Sequence, residues 1–141
     1  MKETTEQTPH EPRPVDLRRT FQAPIDRVWD AFTKREHIHA WWVVKDVMTP
    51  HSEIDFKEGG KFKCGMHSGT IKTIETNRRI VFLADSPEDQ QGKIVVDFEE
   101  LGRQRTGVRI LHHGVPAGMV DEYVGGWLAC LNKLQKLVEQ H

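Results

Sequence analysis

An α+β fold is what this sequence predicts, a curved antiparallel sheet of about six or seven strands around a long C-terminal helix. Three observations carry the prediction. Between Ile54 and His113, short alternating apolar segments follow one another with little more than turn chemistry between them. From about Gly118 to Glu139 the apolar period switches from two to helical spacing. Two tryptophan-bearing segments, one closing at Trp41-Trp42 and one around Trp127, stand almost a chain length apart. A terminal helix carrying Trp127, laid over a bent sheet, encloses a space.

The elements follow in order. Met1 to Pro14 is polar, charged and dotted with Pro9, Pro12 and Pro14, and reads as a disordered tail. Residues 15–141 then form one domain. Val15 to Phe21 is the first strand, with Leu17, Arg19 and Phe21 on one face. Pro24 opens a short helix from about Ile25, whose Ile25, Val28, Trp29 and Phe32 recur at helical spacing. Thr33, with Glu36 three residues on, has the pattern of a capping box and starts a second short helix with Ile38, Trp41 and Trp42 on its apolar side. These two helices close one end of the sheet.

Turn residues then punctuate the chain at Pro50-His51-Ser52, Glu58-Gly59-Gly60, Ser68-Gly69, Thr76-Asn77-Arg78 and Leu101-Gly102. Strands are expected at Ile54 to Phe56, Lys61 to Met66, Thr70 to Glu75, Ile80 to Ala84, Lys93 to Leu101 and Thr106 to His113. Phe62, Cys64 and Met66 alternate with Lys61 and Lys63, and Val108 and Ile110 share a face with Thr106 and His112. Such alternation with short connections favours a meander with one buried face. In the terminal helix Val120, Val124, Trp127, Leu128, Leu131, Leu134 and Val138 form one stripe. Gly125 and Gly126 interrupt it at about 1 kcal/mol each relative to alanine. They let the helix approach a strand or leave room beside it.

Composition removes several functions. Charged residues make up 29% of the chain but balance to −1, which argues against general nucleic-acid binding and leaves room only for a local basic patch. No run approaches the ~20 apolar residues of a membrane span, and no signal peptide opens the chain, so a cytoplasmic location is expected. Cys64 and Cys130 read as buried thiols in a reducing compartment. The eight histidines include no zinc-finger or two-histidine helix spacing, so no metal and no cofactor is expected.

The order of elements and several short words resemble the START-like superfamily, also called SRPBCC or helix-grip. Within it the chain is similar to the branch of homologues of the activator of heat-shock-protein-90 ATPase. The words are Phe21-x-Ala23-Pro24-x-x-x-Val28-Trp29, Trp41-Trp42, Asp55-Phe56-Lys57-Glu58-Gly59-Gly60, Gly69-x-Ile71, Arg79-Ile80-Val81 and Gly126-Trp127-x-x-x-Leu131. The resemblance implies a cavity between sheet and C-terminal helix. It does not imply one activity, because lipid carriers, hormone receptors, cyclases and oxygenase subunits share the fold.

Candidate ligand-binding residues follow from that geometry. Trp41, Trp42 and Trp127 stack on an apolar or aromatic ligand, or fill core space. Cys64, Met66, Val96, Phe98, Val108 and Ile110 form the sheet side of the space, or plain core. Met66 and Met119 adapt to irregular shapes. His112 continues the Val108–Ile110 face, where it orients a ligand or serves as acid or base, with Tyr123 as partner; the alternative is a solvated strand-end histidine. No triad or glycine elbow accompanies them. The resulting expectation is a small soluble domain that binds a hydrophobic small molecule, lipid included, without changing it. An enzyme of cyclase or hydrolase type using His112 and Tyr123 is the alternative, and a chaperone-activating interaction module is another. The chain has no room for the second domain of the eukaryotic co-chaperone, which argues against chaperone interaction. Homodimerisation through sheet edges or the loop after Ala84 stays open.

Overall fold

A computed structural model describes residues 14–42, 53–64, 67–84 and 92–139. The chain runs β1 (Val15–Phe21), α1 (Ile25–Thr33), α2 (Arg35–Trp41), β2 (Glu53–Ile54), β3 (Lys61–Cys64), β4 (His67–Glu75), β5 (Arg79–Ala84), β6 (Lys93–Gly102), β7 (Arg105–His113), a 3-10 turn at Ala117–Met119, and α3 (Val120–Glu139). The strands form one curved antiparallel sheet in the order β1-β7-β6-β5-β4-β3-β2. The first two strands in sequence therefore lie at opposite edges. The segment holding α1 and α2 carries the chain from one edge to the other, and α3 completes the helical layer. Register shifts between Ile71 and Thr73 and between Glu100 and Gly102 add local twist to the sheet.

Alternation fixes which side is buried. On β7, Thr106, Val108, Ile110 and His112 all point to the core, as their spacing of two requires. One row of that inner face runs in register across five strands: Val15, His112, Ile94, Phe82 and Ile71. Four members are apolar and His112 is the exception. On α3 the buried positions are Trp127, Cys130, Leu131, Leu134 and Val138. Full burial of such aliphatic side chains contributes about 1.5–3 kcal/mol each. On α1, Trp29 and Phe32 meet Phe98 edge-on at 5.0 and 5.1 Å. Trp29, 8% exposed, is thus a core residue.

The outer face is ordered by charge. Arg79 holds Asp97 through two hydrogen bonds of 2.6 and 3.3 Å, and Arg109 holds Asp16 through two of 2.9 Å. The hydrogen bond from Arg109 keeps the Asp16 carboxyl below its ordinary value. Arg19, on the inner face, reaches the rim and donates to Asn132 and Gln135 of α3. Arg27 donates to the Val138 carbonyl, which ties α1 to the last turn of α3.

Several expected details differ. Thr33 does not cap α2: it ends α1, and Lys34, extended at φ −96 and ψ 130, stands between the helices without a side-chain cap. Burial of Ile38 and Trp41 holds the short helix instead. The β2 strand stops at Ile54, and Phe56 lies beyond it with its ring 6.0 Å from Trp29. Ser68-Gly69 is not a turn but part of β4, which starts at His67. Gly69 is there because a Cβ would collide with the Leu83 carbonyl of the neighbouring strand. Leu128 is exposed, since one residue beyond Trp127 it rotates about 100° off the buried arc. The proposed tail through Arg13, the expected turn residue His51, and residues 65–66 and 85–91 lie outside the described residues.

Candidate functional site

Among the described residues two polar side chains, Thr106 and His112, are fully buried on the inner face. Each must find a partner, because an unsatisfied polar group in an apolar interior costs about 1–3 kcal/mol. Thr106 solves this locally: its hydroxyl donates to the Ala23 carbonyl at 2.8 Å and ties β7 to the start of α1. His112 reaches across the layers instead. Its Nδ1 accepts a 3.0 Å hydrogen bond from Nε1 of Trp127 on α3. An indole N–H only donates, so Nδ1 is the unprotonated nitrogen and the ring proton sits on Nε2. Tyr123, four residues before Trp127 and so on the same side of α3, packs edge-on to His112 at 5.2 Å.

From this bond an aromatic chain extends across the space between helix and sheet. Trp127 lies 5.4 Å from Trp42. Trp42 meets Phe82 edge-on at 5.4 Å and Phe62 at 6.1 Å, and stacks on Trp41 at 5.5 Å and 18°. Trp41 is fixed from behind, since its Nε1 donates to the Ala31 carbonyl at 2.7 Å. The result is a wall of flat rings with one imidazole at its end. Trp41, Trp42, Phe62, Phe82 and Trp127 are all buried and belong to the hydrophobic core.

The structure thus brings Trp42, His112, Tyr123 and Trp127 together, with Trp41 in support. Val96 and Ile110 lie one row further along the sheet, and Phe98 with its register partner Val108 two rows along, where Phe98 packs under α1. Met119 is 37% exposed on the 3-10 turn, so it does not belong to the buried wall. The side chain of Cys64 and all of Met66 lie outside the described residues. Cys130 is a buried thiol. Phe82 and Ile94 were not among the expected wall residues. The apolar run Ile80-Val81-Phe82 does not reveal which face each residue takes, and only the pairing of β5 with β6 settles it.

His113 faces the opposite side from His112. Burial, and then the charge of Lys93 paired across from it, lower its pKa from the usual histidine value. Among the described residues no three His, Cys, Asp or Glu side chains gather as a metal site. Gly125 and Gly126 are exposed, and a Cβ on either would meet nothing within 4 Å. They do not admit a strand to the helix; the space they leave is on the solvent side. An open depression of about 540 Å³ lies on the other end of α3, lined by Asn132, Gln135, Lys136 and Glu139. Three of its four lining side chains are already used: Arg19 bonds Asn132 and Gln135, and Glu139 accepts from the Gln22 amide. It is a polar seam between α3 and β1, not an apolar enclosure.

Residues 22–139 match the family described as Activator of Hsp90 ATPase homolog 1-like protein. Solved structures share the fold. CalU16 from Micromonospora echinospora is 26% identical, with a TM-score of 0.75 over 88% of this chain and 73% of that one. An Hsp90 activator from Plasmodium falciparum is 19% identical, with a TM-score of 0.76 over 89% of this chain and 96% of that one. An Aha1 from Colwellia psychrerythraea, described as a dimer, is 14% identical, with a TM-score of 0.74 over 89% and 96%. No curated protein matches the chain. No helix among the described residues is long and apolar enough to cross a membrane.

Proposed function

The chain belongs to the activator of Hsp90 ATPase homolog 1-like protein family, and on that premise we propose that it binds a hydrophobic or aromatic small molecule between the sheet and α3 without transforming it. The observation that carries this reading is the Trp127–His112 hydrogen bond at the end of a ring wall. An apolar residue at position 112 would continue its row of Val15, Ile94, Phe82 and Ile71 and need no partner. A buried imidazole held in one tautomer by an indole supplies orientation that packing alone does not require. Trp42, Phe62, Phe82 and Trp127 supply the stacking surface, and Tyr123 closes the side toward the start of α3.

The same arrangement argues against chemistry. A histidine acting as a general base is usually oriented by a carboxylate, as in hydrolytic triads. Here the group bonded to Nδ1 is an indole, and the next ring is the Tyr123 phenol.

Thermal unfolding in the presence of fatty acids, sterols and polycyclic aromatics tests the proposal. A ligand at about 100 times its Kd adds about 2.7 kcal/mol, which for a domain of this size raises Tm by about 9 °C. The rise should shrink in Trp42→Ala. A flat Tm across the whole library, with no small molecule co-purifying by native mass spectrometry, would end the idea.

A further inference from the structure

We propose that residues 117–124, the 3-10 turn and the opening of α3, swing or unwind as a unit about Gly125–Gly126 and form a door over the buried His112–Trp127 pair. Burial divides α3 at that pair of glycines. Among the described side chains from Pro116 to Gly126 none is fully buried, whereas Trp127, Cys130, Leu131, Leu134 and Val138 all are. In the first part Val120, Tyr123 and Val124 pack against the core while only half-buried, so it opens at lower cost than the second part, whose fully buried residues fix it to the sheet. Glycine in the interior of a helix weakens it, and neither glycine is there for packing, since a Cβ at either position meets nothing within 4 Å. The other end of the unit is also built to bend: Gly114, at φ +81, turns the chain out of β7, and Pro116 precedes the 3-10 turn. Val115 between them is buried and stays as the anchor.

What the door covers is the ring of His112. Tyr123 is the residue of this unit that lies against it, at 5.2 Å, and Trp127 is the first buried residue beyond the hinge. Lifting the unit removes Tyr123 and uncovers the imidazole without disturbing Leu131, Leu134 or Val138. That this door admits a ligand rests on the function proposed above; the motion itself does not.

Hydrogen exchange and histidine modification test the motion with no ligand present. In the unaltered protein, peptides spanning 117–126 should exchange faster than those spanning 130–138. Alanine at a helix-interior glycine gains about 1 kcal/mol, so Gly125→Ala should lower the open population about fivefold and Gly125→Ala/Gly126→Ala about thirtyfold. Carbethoxylation of His112 by diethylpyrocarbonate, read by mass spectrometry, should slow by the same factors. Exchange at 117–126 as slow as at 130–138 would overturn the proposal. So would alanine variants that leave exchange unchanged, or that slow exchange while His112 reacts at its old rate. If the double variant folds poorly, the single one carries the fivefold test. Failure of every hydrophobic ligand to bind, with these results obtained, would sink the function and leave the door standing.

Discussion

Replacing Trp127 with phenylalanine keeps a ring in place and removes the donor to His112 Nδ1. Both residues are buried, so water does not replace the lost bond freely. Moving the ring proton to Nδ1 does not help, because that nitrogen then needs an acceptor where the indole donor stood. The stranded group costs about 1–3 kcal/mol, and about 2 kcal/mol is a fair centre. With an unfolding entropy of about 2.1 cal/mol/K per residue, this lowers Tm by about 7 °C. His112→Leu alone strands the indole N–H and should cost a similar amount. The double variant strands neither, and a leucine continues the apolar row of Val15, Ile94 and Phe82. Its cost should fall short of the sum of the singles by up to about 4 kcal/mol, the two stranded-group costs it avoids, which is the signature of a direct interaction. Urea unfolding of the four proteins measures the cycle. Costs that add to within about 0.5 kcal/mol would refute the claim that this bond holds α3 to the sheet.

Other expectations concern the rest of the framework. His113 has a lowered pKa because burial and Lys93 disfavour its charged form. As pH falls through about 6.5, the unfolded chain takes up this proton first, so His113 supports folding fully above that pH and less below it. Stability should drop between pH 7.5 and 5.5, and His113→Gln should flatten the drop; an unchanged slope contradicts the assignment. Thr106→Val removes the donor to the Ala23 carbonyl and should cost about 1–3 kcal/mol, with Thr106→Ser recovering part of it. Equal stability of the three in denaturant titrations would mean that this link between β7 and α1 contributes nothing.

Much of this fold is legible in the sequence because periodicity reports directly on burial. Thr106, Val108, Ile110 and His112 face the core together, as spacing by two demands. Trp127, Leu131, Leu134 and Val138 do so on the helix. What spacing does not report is which residues meet. Trp42 and Trp127 come from separate elements, and only the α2–α3 packing brings their rings to 5.4 Å. Likewise His112 could be placed on the inner face, but its bond to Trp127 depends on the height at which α3 crosses β7. The glycine pair misled for a related reason. A gap in an apolar stripe marks a residue without a side chain, not the side of the helix it faces, and Gly125 and Gly126 face out. The Thr33 capping pattern lost to a short-range effect, the extended backbone at Lys34.

The pairing of β1 with β7, with Val15 opposite His112, has a consequence for how the chain is made. At about 5–20 residues per second, the ribosome takes several seconds to deliver the partner of the first strand. Until then β1 has no neighbour in the sheet, and its apolar residues must wait or be shielded by other means. Early pairing can occur among β2, β3, β4, β5 and β6, whose hairpins are local. Assembly should therefore begin in the middle and finish with both chain ends together, and an amber stop before β7 should yield an aggregation-prone product, not a smaller folded one.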